Sequence, residues 1–296
     1  MKLTKDFSLA QRINIEISGQ ATKDCVKFLN NIYENFEKKL DNPDYTLKVI
    51  VTDKIPKINK VVSLGKDAYY NENTLILNSG HFFIRENDKT LTVGIPFRVK
   101  RGRIPFKRNT SGRHITDEIV EPLTNLILLN CDAAFVHASS IYSNGKADIL
   151  MGWRGTGKTN AILKDFESKD IWSDDLAIID SNGFVYPYLR PIRLYAYNLA
   201  LLNKKYIKDH KLNFKSKITP PWRPVHYLPL KKKASVKKAE LRSITYLNNP
   251  DTKNIAEDAE DIMIFEQSFF EHYKIMLQHS GIFSVKKSVK EILNNL

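Results

Sequence analysis

A chain of 296 residues, 42% hydrophobic and 27% charged, buries a large core and exceeds one ordinary domain, so two lobes are expected, over residues 1–115 and 116–296. Two distant cysteines, Cys25 and Cys131, exclude a disulfide framework and a zinc site, and the lack of an apolar leader or a membrane-length apolar run argues for a soluble, cytoplasmic protein with no membrane partner. The net charge of +13 favours anionic partners, among them nucleotide phosphates, RNA and acidic proteins, although a lysine-rich solvated surface explains it equally well.

Residues 12–18 alternate apolar and polar, which predicts a half-buried strand. Over residues 22–41, Val26, Leu29, Ile32, Tyr33, Phe36 and Leu40 recur three or four apart, which predicts an amphipathic helix with Thr22 as its cap. Strand-like runs follow at 46–52, 74–78 and 90–97, completing a small mixed α/β lobe that carries no evident chemistry. Residues 98–113 hold seven basic side chains, Arg98, Lys100, Arg101, Arg103, Lys107, Arg108 and Arg113, with no acid between them. Gly102, Pro105, Ser111 and Gly112 make this stretch a loop, read as a linker or an anion-binding arm.

A helix is expected over 117–129, with acids at its start and Pro122 near its first turn. Residues 133–143 form an extended apolar strand, and Asn144-Gly145 is a strong hairpin signal. Residues 146–151 return antiparallel and run into "GWRGTGKTN", residues 152–160. A short helix follows in "TNAILKDF", then a strand over 170–180 and a turn at 181–183.

Gly152, Gly155, Gly157, Lys158 and Thr159 fit G-x-x-x-x-G-K-[ST], between a strand and a helix as a phosphate loop requires. Glycines let the backbone curl its N–H groups onto phosphate oxygens, and the helix that follows adds its positive end. Lys158 supplies a charge for the outer phosphates, Thr159 a hydroxyl for Mg2+, and Arg154, Thr156 and Asn160 complete the candidate cofactor-binding loop. The hairpin before the loop argues against a GTPase or a motor with an all-parallel sheet.

The segment "FVHASSIYSNGKADILMGWRGTGKTNAILKDFESKDIWSDDLAII" resembles the HPr kinase/phosphorylase superfamily, including free-serine kinases, which shares its core with phosphoenolpyruvate carboxykinase. A His-Ala-Ser run, a short hairpin, the loop and a paired Asp about fifteen residues on carry the resemblance. It is good over about 130–195 and loose over 196–250, and the first lobe lies outside it. The fold implied is a mixed-sheet α/β kinase core preceded by a small α/β lobe. The activity implied is Mg2+-dependent transfer of a phosphoryl group from a nucleotide, ATP or else ADP or pyrophosphate, to a serine-type hydroxyl on a small molecule or a protein. Family members often assemble, which raises a homo-oligomer.

Asp174 would then take the proton of the attacking hydroxyl, Asp175 would join Thr159 at Mg2+, and His137 would lie beside the pair. Adjacent carboxylates in one strand would point to opposite sides and take separate roles. His137 by itself is equally a core histidine, and Arg190 and Arg193 are either a phosphate clamp or surface arginines. The stretch after "SDDLAIID" lacks the glycine-rich signature of that family, which puts HPr itself in doubt as the substrate.

Basic runs with Tyr206, Phe214, Trp222 and Tyr227 interleaved over 204–238 suggest either an RNA-binding face or a mobile insertion with solvated edges. "PPWRP" at 220–224 reads as a lid or substrate wall, 241–247 as a late strand, and 260–279 as one packed helix. Two rival functions follow: an RNA or polynucleotide kinase on the same core, and a nucleotide-binding regulator that transfers nothing.

Overall fold

The alternation that marks residues 12–18 builds one strand of a sheet in the first of two units. The computed structural model describes residues 1–54, 62–65, 68–71, 73–77, 82–100, 107–164, 169–195, 198, 202, 207–208, 226–230, 234, 236–247, 254–266 and 268–296. One unit comprises Met1–Ala134 with Gln267–Ser288, the other Phe135–Glu266 with Val289–Leu296. The helix expected to open the second domain thus belongs to the first unit, and the chain returns there for the helix Ser268–Ser280.

The first unit holds β1 (Lys2–Leu9), β2 (Ile13–Gln20), α1 (Lys23–Ile32), β3 (Tyr45–Val51), β4 (Val62–Gly65), β5 (Ala68–Asn71), β6 (Thr74–Leu77), β7 (Phe82–Asn87) and β8 (Thr90–Ile95). The eight strands form one sheet in the order β1-β2-β3-β8-β7-β6-β5-β4. Its centre is parallel, β2 to β3 and β3 to β8, and its flanks are antiparallel. Ile13, Ile15 and Ile17 of β2 are fully buried, as are Leu47 and Val49 of β3, as the period-two pattern requires.

The capping expectation holds: Thr22 accepts from the Cys25 N–H at 3.2 Å. The expected length does not, because α1 stops at Ile32. Phe36 packs edge-on against Phe7 and Tyr33, the Glu37 carbonyl accepts from the Ser8 N–H, and the Asn14 amide clasps both backbone groups of Leu40. These contacts hold residues 33–40 along β1 and β2, and a further helical turn would forfeit them.

The basic stretch at 98–113 is no plain linker. β9 (Arg98–Lys100) and β10 (Lys107–Asn109) pair antiparallel, and Thr110 closes them by donating to the Pro96 carbonyl at 2.6 Å. Arg101, Gly102, Arg103 and Pro105 lie outside the described residues. The expected helix at 117–129 begins earlier, with π-helical His114–Val120 running into α2 (Glu121–Asn130). Pro122 explains the wide turn, since it offers no N–H and its ring crowds the carbonyl four residues back.

The second unit contains the end of β11 (Ala133–Val136), whose first two residues belong to the first unit, and β12 (Ala138–Ser143), β13 (Lys146–Met151), α3 (Lys158–Lys164), β14 (Asp170–Ser173), β15 (Ala177–Asp180), β16 (Phe184–Tyr186), β17 (Ile192–Leu194), β18 (His226–Leu228) and β19 (Ala239–Tyr246). Its main sheet runs β11-β15-β16-β19-β13-β12-β14, and β17 pairs with β18 separately. Asn144 and Gly145, both at positive φ, turn β12 into antiparallel β13 as the sequence predicts. The other neighbour of β13 is β19, which is parallel, so the sheet is of mixed orientation. The architecture is therefore mixed α/β, with six α-helices among the described residues, none long and apolar enough to cross a membrane.

Two expected strands are each broken in the middle. The run 133–143 divides at His137 and the run 170–180 at Asp174-Asp175. β12 pairs with β14 near one end of the sheet, while β11 lies beside β15 at the other, so both breaks fall where the chain crosses between the ends. The expected single helix at 260–279 is two, Ile255–Glu266 and Ser268–Ser280, one in each unit. Phe166, Tyr206, Phe214, Trp222, the 220–224 loop and most of the basic tail segments lie outside the described residues.

Candidate functional site

β13 delivers the loop. Its alternate residues Ala147, Ile149 and Met151 are buried, and the chain leaves the strand at Gly152 with φ +154°. A Cβ there would sit 2.9 Å from the Thr156 hydroxyl and 3.2 Å from the Leu247 carbonyl oxygen, so glycine is required on space and conformation together. The Trp153 carbonyl accepts from the Thr156 N–H at 3.3 Å and from its hydroxyl at 2.8 Å. Lys158 folds back inside this curl, its ammonium donating to the carbonyls of Gly152 at 2.7 Å and Trp153 at 3.0 Å. Its side chain is buried, so these two bonds offset part of its lost hydration. Arg154 is exposed at the loop's outer turn, and Asn160 accepts from the amide of buried Asn198 at 2.7 Å.

Asp174 meets this loop from β14. The Thr159 hydroxyl donates to both carboxylate oxygens, at 3.1 Å to Oδ1 and 3.2 Å to Oδ2, and the Ser139 hydroxyl donates to Oδ1 at 3.0 Å. The carboxylate is buried at 4% exposure. Asp174 and Asp175 are not consecutive strand residues, contrary to the expectation. The Leu176 N–H donates to the Asp174 carbonyl at 2.9 Å around Asp175, whose φ is +69°. This is a γ-turn, a strained conformation for a residue with a side chain. It breaks the strand and leaves Asp174 buried with Asp175 half exposed beside it.

Burial pushes Asp174 up to about 7, and the Asp175 charge adds to the rise, while hydrogen bonds from Ser139 and Thr159 and the charge of Lys158 oppose it. Burial pushes His137 down to about 4; the Lys158 and Arg154 charges act in the same direction and Asp175 against it. The site thus holds a neutral imidazole near pH 7 and a carboxyl group divided between its two forms.

The structure brings the loop, Lys158, Thr159, Asp174, Asp175 and His137 to one corner of the second unit. The Thr159 hydroxyl pairs there with Asp174, the aspartate expected to act as base. Arg190 is buried two residues beyond Tyr188, whose N–H donates to Trp172, and Arg193 lies on β17 opposite Tyr227. The substrate role expected of these arginines rests on the sequence alone. Sequence reasoning gave Ser139 and Asn198 no role. Ser139 is one of three polar residues, with His137 and Ser140, in the largely apolar run 133–141, which is a signal for a buried polar site but not for Ser139 alone, whereas Asn198 carries none. Compared with known proteins, the chain matches no family model and no curated sequence.

Proposed function

We propose that this chain is a Mg2+-dependent phosphotransferase of the HPr-kinase-like P-loop type, moving the γ-phosphoryl group of a nucleotide to a serine-type hydroxyl, free or in a protein. The observation that carries the reading is the bond from Thr159 to Asp174, which sets a buried carboxylate against the first turn after a glycine-hinged loop. The loop backbone offers N–H groups to phosphate oxygens. Lys158, already inside the curl, lies ready to take the charge of the outer phosphates. Thr159 and Asp175 are hard oxygen donors of the kind Mg2+ prefers, and that ion, when bound, neutralises charge on the phosphate oxygens.

Asp174 accepts the proton of the acceptor hydroxyl. A new O–P bond forms as the bond from the γ-phosphorus to its bridging oxygen breaks, and the nucleoside diphosphate leaves with the electron pair. A carboxyl pushed up to about 7 is a stronger base than an exposed aspartate and is still substantially ionised at neutral pH. His137, neutral, buried and within reach of the charges of Lys158 and Asp175, adds no charge to the corner.

The test is transfer of labelled γ-phosphate from ATP, screened across serine, acidic proteins and total RNA. Label on a serine-type hydroxyl is expected, falling by about 10²–10⁴-fold in Asp174→Asn with ATP binding retained. An Asp174→Asn protein with wild-type transfer overturns the role of Asp174. Label confined to RNA, with a steep fall in salt, assigns a polynucleotide kinase instead. Binding without transfer to any acceptor assigns the regulator.

A further inference from the structure

We infer that Ser139 is a positioning residue for phosphoryl transfer, holding one oxygen of Asp174 so that the other receives the acceptor's proton. This rests on the Asp174 role proposed above and adds which oxygen works and what aims it. Among the described contacts, Oδ1 accepts from two hydroxyls, Ser139 at 3.0 Å and Thr159 at 3.1 Å, whereas Oδ2 accepts only the shared Thr159 donor at 3.2 Å. Each carboxylate oxygen has two acceptor sites. Oδ1 is therefore filled, and Oδ2 keeps a lone pair for an incoming proton.

Aim matters because the last torsion of an aspartate is broad, and one donor alone leaves the free lone pair poorly directed. Ser139 supplies the second donor from a rigid base. It is fully buried, sits on β12 opposite Leu150 of the loop-bearing strand β13, and precedes Ser140, which lies opposite Ser173 of β14. The strand that orients Ser139 is thus hydrogen-bonded both to the strand that delivers the loop and to the strand that delivers Asp174. When transfer occurs, the acceptor O–H bond breaks and an Oδ2–H bond forms. Oδ1 then becomes the carbonyl oxygen of a neutral acid and still accepts from Ser139. That hydrogen bond persists through the step and costs no reorganisation.

Ser140 supplies a matched control. It is equally buried on the same strand, and its hydroxyl bonds to that of Ser173 at 2.6 Å rather than to Asp174. The experiment is single-turnover transfer of the ATP γ-phosphoryl group, to the acceptor labelled in the screen above and to water, run on wild type, Ser139→Ala, Ser139→Thr, Ser140→Ala and Asp174→Asn. ATP affinity is measured by calorimetry and folding by melting curves. Ser139→Ala is expected to slow turnover by about 10–100-fold at unchanged ATP affinity. Ser139→Thr, which keeps the hydroxyl, recovers rate, and Ser140→Ala loses comparable stability but turns over as wild type. If Ser139→Ala does not fold, Ser139→Cys, with its weak donor, takes its place and is expected to be intermediate.

Ser139→Ala at wild-type rate overturns the proposal. So does a slowing matched by Ser140→Ala, or one that follows ATP affinity. Wild-type turnover in Asp174→Asn overturns the reading beneath it, and absence of any turnover in wild type overturns both.

Discussion

The two units use irregular backbone differently. In the first, Asp132 lies between α2 and β11, and the other left-handed residues with side chains turn hairpins: Ala10 and Gln11 between β1 and β2, Asp88 and Lys89 between β7 and β8. Asn144 does the same in the second unit. Asp175 does not, because its positive φ breaks a strand and joins no hairpin. Asp175 instead lies where the chain crosses from one end of the sheet to the other, so its strain sits next to the buried carboxylate of Asp174. The thiols sharpen the contrast. Cys25 and Cys131, both in the first unit, are pushed by burial up to about 11, which leaves them protonated and inert, while in the second unit burial pushes Asp174 up to about 7.

Glycine variants give the largest expected effects. A Cβ on Gly94 would lie 1.8 Å from the Phe83 ring, and one on Gly152 would press Thr156 and Leu247. Each alanine variant is expected to lose about 1–3 kcal/mol by chemical denaturation. Only Gly152→Ala should also lose nucleotide binding, and loss of binding in Gly94→Ala would break the division of labour.

The pH dependence of stability comes next. The folded-state pKa of Asp174 is raised, so its contribution is fully present below the unfolded value of 3.8 and is lost as pH rises through about 7. Asp174→Asn is therefore expected to be more stable than wild type at pH 8, with the gain vanishing near pH 4. His137 has the opposite sign: its folded pKa is lowered, so stability is lost as pH falls from 6.5 through about 4. Melting curves from pH 4 to pH 8 read both.

How much of this was legible in the sequence depends on how local each cause is. The hairpin at Asn144-Gly145, the Thr22 cap and the loop at 152–159 are written in short motifs whose chemistry fixes their geometry. The strand β1 went unread because its turn, Ala10-Gln11, uses neither glycine nor asparagine. The end of α1 depends on Phe7, Ser8 and Asn14, which are distant in the chain. The γ-turn at Asp175 left no local mark, since "SDDLAIID" reads as an unbroken strand, and the bond from Ser139 to Asp174 spans 35 residues.

Smaller effects test the same contrast. Glycine at a left-handed position relieves strain, so Gln11→Gly and Asp175→Gly are each expected to stabilise by about 0.5–1 kcal/mol. Gln11→Gly should leave phosphoryl transfer unchanged, and Asp175→Gly, which also removes a proposed Mg2+ donor, should reduce it; equal activity in the two would remove the role proposed for Asp175. Smallest of all, Cys25 and Cys131 should resist a thiol reagent at pH 8 in the folded protein and react on unfolding, and fast labelling of the native state would contradict their burial.

Calorimetric titration of ATP with Mg2+ into wild type and Lys158→Ala bears most directly on the claim that the curled loop grips a polyphosphate. Saturable binding to wild type is expected, weakened by about 10²-fold or more when the ammonium held by Gly152 and Trp153 is removed. Equal affinity in the two proteins, or no binding to wild type, would contradict the account.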